Sequence, residues 1–182
     1  MLEIRIHGYG GQGAVTLAHL LAQAALDNGS RSQALPSFGV ERRGAPVKAA
    51  VRISDEPILV YSQSVTPDVL VCMDKKLVET GLAEGHNDEF IVVVNTSESI
   101  ESENTVYCVD AAGIAIEEGL DGIGASMINV PLLGAACCAV DIPASVLEQT
   151  LRAKWQGEIG EKNVRAAKRG YESVLSQKGE VA

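Results

Sequence analysis

Ile4-Arg5-Ile6-His7-Gly8-Tyr9-Gly10-Gly11-Gln12-Gly13-Ala14-Val15-Thr16-Leu17-Ala18 is the stretch that decides the fold. Ile4 and Ile6 open a short strand. Gly8, Gly10 and Gly13 then satisfy G-x-G-x-x-G, with Gly11 as an additional glycine. From residue 14 to about residue 28 the apolar positions turn helical, through Val15, Leu17, Ala18, Leu20, Leu21, Ala24, Ala25 and Leu26. Strand, glycine turn and helix form one unit. It aims free backbone N–H groups and the positive end of a helix at whatever lies above the strand. Glycines suit this turn because a Cβ would obstruct it and hold a phosphate away from the backbone.

The same pattern also fits a strand-to-helix turn with no ligand. A dinucleotide site needs, in addition, an acidic residue about 20 positions further on. The corresponding stretch, Arg31-Ser32-Gln33-Ala34-Leu35-Pro36-Ser37-Phe38-Gly39, contains no Asp or Glu, and Glu41 follows only after a proline and a glycine. The nucleotide-like loop is present and the mark of NAD is missing.

Outward from this unit, 182 residues at 46% hydrophobic content suffice for one α/β domain spanning residues 1–182, with no internal repeat or linker. The net charge of −9 argues against general nucleic-acid binding. No apolar run reaches membrane-spanning length, and the N-terminus lacks a basic region followed by an apolar stretch, so the expected compartment is the cytoplasm. Cys72, Cys108, Cys137 and Cys138 have no C-x-x-C spacing and read as buried free thiols, and the three histidines have no metal-ligand spacing. His7 is placed either at the mouth of the glycine loop or as a satisfied structural histidine. No metal site and no nucleophile–base pair is expected.

Along the chain, strands are predicted at 32–35, 47–53, 69–73, 90–94 and 105–109. Residues 58–61 are expected to return beside 47–53 as an appended hairpin. Val47, Ala49, Val51 and Ile53 would form one face of that strand, with Lys48 and Arg52 on the other. Helices are predicted at 75–84, from 111 to about 119, at 127–140 and from Pro143 to Trp155. A last helix runs from 160 to about 177, with Val164, Ala167, Tyr171 and Leu175 on one face. The fold class is α/β: a three-layer α/β/α sandwich with a mostly parallel, mixed, Rossmann-like sheet.

Charge is unevenly placed. Arg31, Arg42, Arg43, Lys48 and Arg52 face only Glu41 within residues 31–52 of an otherwise acidic chain. This is either an ordinary solvated surface or a site for a polyanionic small molecule, to which arginine's planar fork donates paired hydrogen bonds. Phe38 beside Gly39 offers a face for a purine or a partner, or packs in the loop.

Three stretches in order carry a resemblance: Gly8-Tyr9-Gly10-Gly11-Gln12-Gly13; Pro36-Ser37-Phe38-Gly39-Val40-Glu41-Arg42-Arg43-Gly44-Ala45-Pro46; and Val51-Arg52-Ile53-Ser54-Asp55-Glu56-Pro57-Ile58. With Pro67-Asp68-Val69-Leu70-Val71 and Asn129-Val130-Pro131-Leu132-Leu133-Gly134-Ala135, they resemble the gamma subunit of 2-oxoacid:ferredoxin oxidoreductases over nearly the whole chain. The wording of 38–46 is closer to the pyruvate or branched-chain type than to the 2-oxoglutarate type.

The resemblance implies a multisubunit enzyme that oxidatively decarboxylates a 2-oxoacid to an acyl-CoA and reduces ferredoxin. It implies thiamine diphosphate on alpha and beta subunits and iron–sulfur clusters on beta and delta subunits. The gamma chain would help bind coenzyme A. On this reading Gly8, Gly10, Gly11, Gln12 and Gly13 form the phosphate loop, and the backbone amides of Gly10, Gly11, Gln12 and Gly13 are the donors. Phe38, Gly39, Arg42 and Arg43 border the loop, and Asn129 faces the same crevice. Arg42 and Arg43 serve either the ligand or a neighbouring subunit, and Glu41 would hold one of them. A homodimer of the isolated chain, itself inactive, stays open. Two alternatives remain: an NAD(P)-linked oxidoreductase using Arg31 for a 2′-phosphate, and an assembly module without ligand.

Overall fold

The computed structural model describes residues 1–37, 44–62, 66–122 and 125–181. Strand β1 (Leu2–Tyr9) runs into the glycine turn, and α1 (Ala14–Asp27) leaves it. Strands β2 (Arg31–Ser37) and β3 (Pro46–Ser54) follow, then β4 (Val69–Cys72). A 3-10 turn (Lys75–Leu77) leads into α2 (Val78–Ala83), β5 (Ile91–Asn95), β6 (Thr105–Val109) and α3 (Ala111–Glu117). A two-residue pair, β7 (Asp121–Gly122) with β8 (Ala125–Ser126), precedes α4 (Asn129–Ala139), α5 (Ala144–Lys154) and α6 (Gly157–Val181).

Six strands make one mixed sheet in the order β2-β3-β1-β4-β5-β6. The half formed by β1, β4, β5 and β6 is parallel, and β3 is antiparallel to both β1 and β2. The continuous apolar run Val92-Val93-Val94 in β5 is buried on both sides, as a strand flanked by parallel neighbours requires. The parallel strands all end at one edge of the sheet, and the glycine turn lies there.

The two faces differ. Ile4, Ile6, Val51, Val69, Val71 and Val93 point into the main core with α1, α4 and α6. The opposite face carries a smaller apolar cluster, Leu70, Cys72, Val92 and Val94 under Leu77 and Val78. Beside it, over β1 and β3, lie charged side chains. Arg5, His7 and Arg52 are 5%, 2% and 1% exposed. The Arg52 Nε donates to Glu3 Oε1 at 2.7 Å and its Nη1 to the Val60 carbonyl at 3.0 Å. On the outer face of β3, expected to carry Lys48 and Arg52, Arg52 is thus buried in an ion pair with Glu3, while Lys48 stays partly exposed beside Glu84.

The appended hairpin is not formed. Both edges of β3 are already occupied, by β1 and by β2, so residues 58–61 find no edge to pair with. They carry no strand structure and are tied down through the Val60 carbonyl and Arg52, with Leu59 and Tyr61 strongly exposed. β3 pairs instead with β2 in a hairpin within the main sheet.

Helix α4 is buried along its whole length. It sits against α6 with backbone touching backbone: a Cβ at Gly134 would overlap the Ala167 carbonyl, and one at Gly170 the Pro131 carbonyl. Helix α6 starts three residues before the predicted Gly160. Val174, fully buried, takes the inward position expected of Leu175, which is half exposed. Pro143 sits just outside α5 at its N-cap, in extended conformation.

Candidate anion-binding site

Gly8 ends the buried part of β1, where a Cβ would lie 2.8 Å from the Met73 sulfur. The chain then turns through Gly11 (φ 96°) and Gly13 (φ 86°), left-handed conformations that side chains resist. Gly13 is the N-cap of α1, and its carbonyl accepts the first helical bond from Leu17 N at 2.9 Å. No side chain caps this helix and no acidic residue lies in its first turn. The amides of Ala14, Val15 and Thr16 precede the first intrahelical donor, so the helix supplies them with no acceptor.

The turn itself is clamped. The Gln12 amide donates to the Tyr9 carbonyl at 3.0 Å, and the Gln12 side-chain oxygen accepts from Tyr9 N at 2.7 Å. The Gly10 amide donates to the Ala45 carbonyl at 2.8 Å, and Gly44 N returns to the Gly10 carbonyl at 3.2 Å. Gly10 and Gln12 are therefore not the outward donors expected of them, because the tight turn uses their amides internally. Among the described residues, the donors left for a ligand are Gly11, Gly13 and the first turn of α1.

These groups line a cleft of about 250 Å³ with Tyr9, Gly10, Val15 and Val47. Asn129, 5% exposed, reaches the turn from the start of α4: its side-chain amide would stand 2.8 Å from a Cβ on Gly13. Among the described residues that side chain makes no hydrogen bond, and α4 has no acid in its first turn. Among the described residues, neither helix start carries an acidic residue in its first turn, which favours an anion at the open α1 N-terminus.

Of the expected cluster of cations, the three described members, Arg31, Lys48 and Arg52, do not gather at the glycine turn. Lys48 is hydrogen-bonded to Glu84 and Arg52 is buried against Glu3. Arg31 opposes Ser54, whereas Ser37 at the other end of β2 opposes Lys48 near the turn. Six residues of strand put Arg31 roughly 20 Å from the glycine edge. That is the wrong end for a 2′-phosphate, and β3 separates β2 from β1. Phe38, Gly39, Glu41, Arg42 and Arg43 lie outside the described residues. The chain on either side of them meets the site, through Ser37 opposite Lys48 and through Gly44 bonded to Gly10.

His7 sits behind the turn, facing away from the cleft. Its Nε2 is buried without a hydrogen bond, 3.8 Å from Glu84. Burial lowers its pKa to about 4, against the pull of Glu84 and with help from Lys48 and Arg5. The ring is therefore neutral at pH 7 and its approach to Glu84 is not an ion pair. Burial pushes the Glu84 carboxyl up, and the hydrogen bond from Lys48 together with the Lys48 and Arg5 charges outweighs this, leaving it below the usual range. Burial raises the Cys72 thiol to about 12 and pushes Cys137 and Cys138 up as well. These are inert packing groups at neutral pH. Among the described residues no cluster of His, Cys, Asp and Glu could hold a metal ion, and no helix is long and apolar enough to cross a membrane.

Fold and site together define an α/β protein with unpaired backbone donors at the carboxyl edge of its sheet. The chain belongs to the pyruvate ferredoxin/flavodoxin oxidoreductase family, whose model matches residues 3–173. It is 42% identical over 181 residues to the pyruvate synthase subunit PorC of Methanothermobacter marburgensis, covering 96% of this chain and 98% of that one. It is 42% identical over 184 residues to the pyruvate/ketoisovalerate oxidoreductases common subunit gamma of Pyrococcus furiosus, covering 96% and 97%. Among solved structures, pyruvate oxidoreductase subunit PORC of Thermotoga maritima superposes with a TM-score of 0.79 at 36% identity, covering 94% of this chain and 95% of that one. A 2-oxoglutarate:ferredoxin oxidoreductase of Magnetococcus marinus, solved with 2-oxoglutarate, coenzyme A and succinyl-CoA, shares the fold. Its TM-score is 0.79 at 22% identity, over 96% of this chain and 31% of that one. Within the family this is a gamma-type subunit.

Proposed function

We propose that this chain, acting as one domain, holds the phosphate end of coenzyme A while its partner subunits carry out the chemistry. The observation that carries the reading is the uncapped α1 N-terminus opening, with Gly11 and Gly13, onto one cleft, with the Asn129 side chain packed against Gly13 behind it. The donors assigned to phosphate are the amides of Gly11, Gly13, Ala14 and Val15, with Gly8, Gly10 and Gln12 fixing the turn that aims them. Arg42 and Arg43 add charge to the ligand or hold a neighbouring subunit, and Phe38 and Gly39 border the same segment.

Thiamine diphosphate and the iron–sulfur clusters belong on alpha, beta and delta partners, and ferredoxin is met through them. Support comes from the cysteines of this chain, which stand apart on β4, β6 and α4 as free thiols. The coenzyme A bound in the Magnetococcus marinus relative supports the ligand. Free buried thiols fit a cytoplasmic location. The contribution to rate is positioning: a thiol held near its acceptor reacts without an acid or base from this chain.

Arg43→Ala in the assembled complex tests the reading. A phosphate role raises the half-saturating coenzyme A concentration and leaves CoA-independent release of carbon dioxide from the oxoacid intact. Equal loss of both refutes it in favour of assembly.

A further inference from the structure

The two outer strands of the six-stranded sheet are finished differently. On β6, the Gln177 side chain reaches over from α6. It accepts from the Cys108 amide and donates to the Cys108 carbonyl, both at 3.0 Å. A side-chain amide thus stands where another strand would pair. On β2, among the described residues, the backbone of 31–36 makes hydrogen bonds to β3 alone. Pro36 blunts one end of this edge, because it has no N–H to offer. Residues 31–35 keep theirs.

A groove of about 500 Å³ lies along the half without proline, and its lining comes from both faces of the sheet. Ser32 faces α1, with its Oγ donating to the Ala22 carbonyl at 2.6 Å, and Leu26 of α1 lines the groove on that side. Gln33 points to the opposite face, towards Arg52. There Ile58 and Tyr61 line the groove, in the segment that the Val60 carbonyl ties to Arg52. The open strand edge is therefore the floor of a trough with apolar walls above and below. Leu59 and Tyr61, 80% and 78% exposed, are the most exposed large apolar side chains among the described residues. Arg31 is the one cation in the lining and has no ion pair among the described residues, whereas Arg52 is held by Glu3.

We propose that a partner subunit of the oxidoreductase adds an extended segment here, as a seventh strand along residues 31–35. Main-chain bonds to β2 hold such a segment, and the trough selects it. Its successive side chains point in turn towards Leu26 and towards Ile58 and Tyr61, so both of its faces are apolar. An acidic residue at its end meets Arg31. A second copy of this chain fits worse. Two-fold pairing over this half would set the two Arg31 side chains as diagonal neighbours, and each copy carries a net charge of −9. The trough stands roughly 20 Å of strand from the glycine turn and does not depend on what binds there.

Hydrogen–deuterium exchange of the full chain, alone and in the assembled oxidoreductase, tests the added strand directly. Amides of 31–35 exchange quickly in the free chain and slowly in the complex. Tyr61→Ser weakens association with the partner subunits about 30-fold, the loss of one aromatic anchor. Arg31→Glu weakens it about tenfold, and both variants melt like the native chain. Exchange at 31–35 that is the same in chain and complex overturns the proposal, even if Tyr61→Ser weakens assembly, since the contact would then involve no added strand. Native affinity in both variants overturns it too. So does a dimer of the free chain that already protects 31–35 and that Tyr61→Ser breaks, because the occupant is then a second copy.

Discussion

Replacing Val15 by aspartate sets folding and ligand binding against each other. Val15 lies in the uncapped first turn of α1 and lines the glycine cleft. A carboxylate there complements the helix dipole, stabilising the helix by about 0.3–1 kcal/mol. The same carboxylate occupies the positive end that a phosphate needs. With charges about 5 Å apart at an effective dielectric constant near 20, the repulsion is about 3 kcal/mol, and screening reduces it to between one and two powers of ten in affinity. The expected result is a chain as thermostable as native or slightly more so, in an enzyme whose half-saturating coenzyme A concentration rises about 10- to 100-fold. Val15→Asn, which removes the same apolar contact without the charge, should shift it far less. Differential scanning calorimetry and coenzyme A titration of the assembled enzyme measure the two arms. Val15→Asp with native coenzyme A dependence would show that no anion approaches this helix end.

Gly134→Ala forces a methyl into the Ala167 carbonyl and should cost about 3 kcal/mol in urea unfolding; a cost below 1 kcal/mol would mean that α4 and α6 slide apart freely. Arg52→Met strips Glu3 and the Val60 carbonyl of a buried donor and should lose about 3 kcal/mol, read by the same unfolding curve; an unchanged midpoint would contradict a stabilising buried Arg52–Glu3 pair. His7 has a folded pKa of about 4 against 6.5 for the free ring. The unfolded chain therefore takes up the proton first, and native stability falls as pH drops from about 6.5 to about 4, by a few kcal/mol. His7→Gln should flatten that slope in pH-dependent unfolding, and a slope unchanged by the substitution would place the titration elsewhere.

The unit from Ile4 to Ala18 was legible because its signals are local: alternation, glycines that allow positive φ, then helical spacing. β6 and α3 were legible for the same reason. The hairpin at residues 58–61 was misread because strand propensity says nothing about whether an edge is free, and that depends on β2 joining the sheet beside β3. The charged face was read as plain polarity because Arg52 finds Glu3 across 49 positions of sequence, beyond the reach of any periodic pattern. Leu175 and Val174 both satisfy a helical repeat within one residue, and packing against α4 decides between them. Of the site, the glycine turn was legible, but not which of its amides stay free, since Gly10 is engaged by Ala45 from a distant stretch of sequence.

That engagement has a mechanical side. Two backbone bonds lock Gly10 to residues 44 and 45, directly ahead of β3. Tugging on this approach by even an ångström must tilt the plane of the Gly10 peptide and, with it, the aim of the neighbouring N–H groups. A subunit that grips the chain there would work as a hand on a lever, tightening or slackening the hold on cargo from outside the pocket.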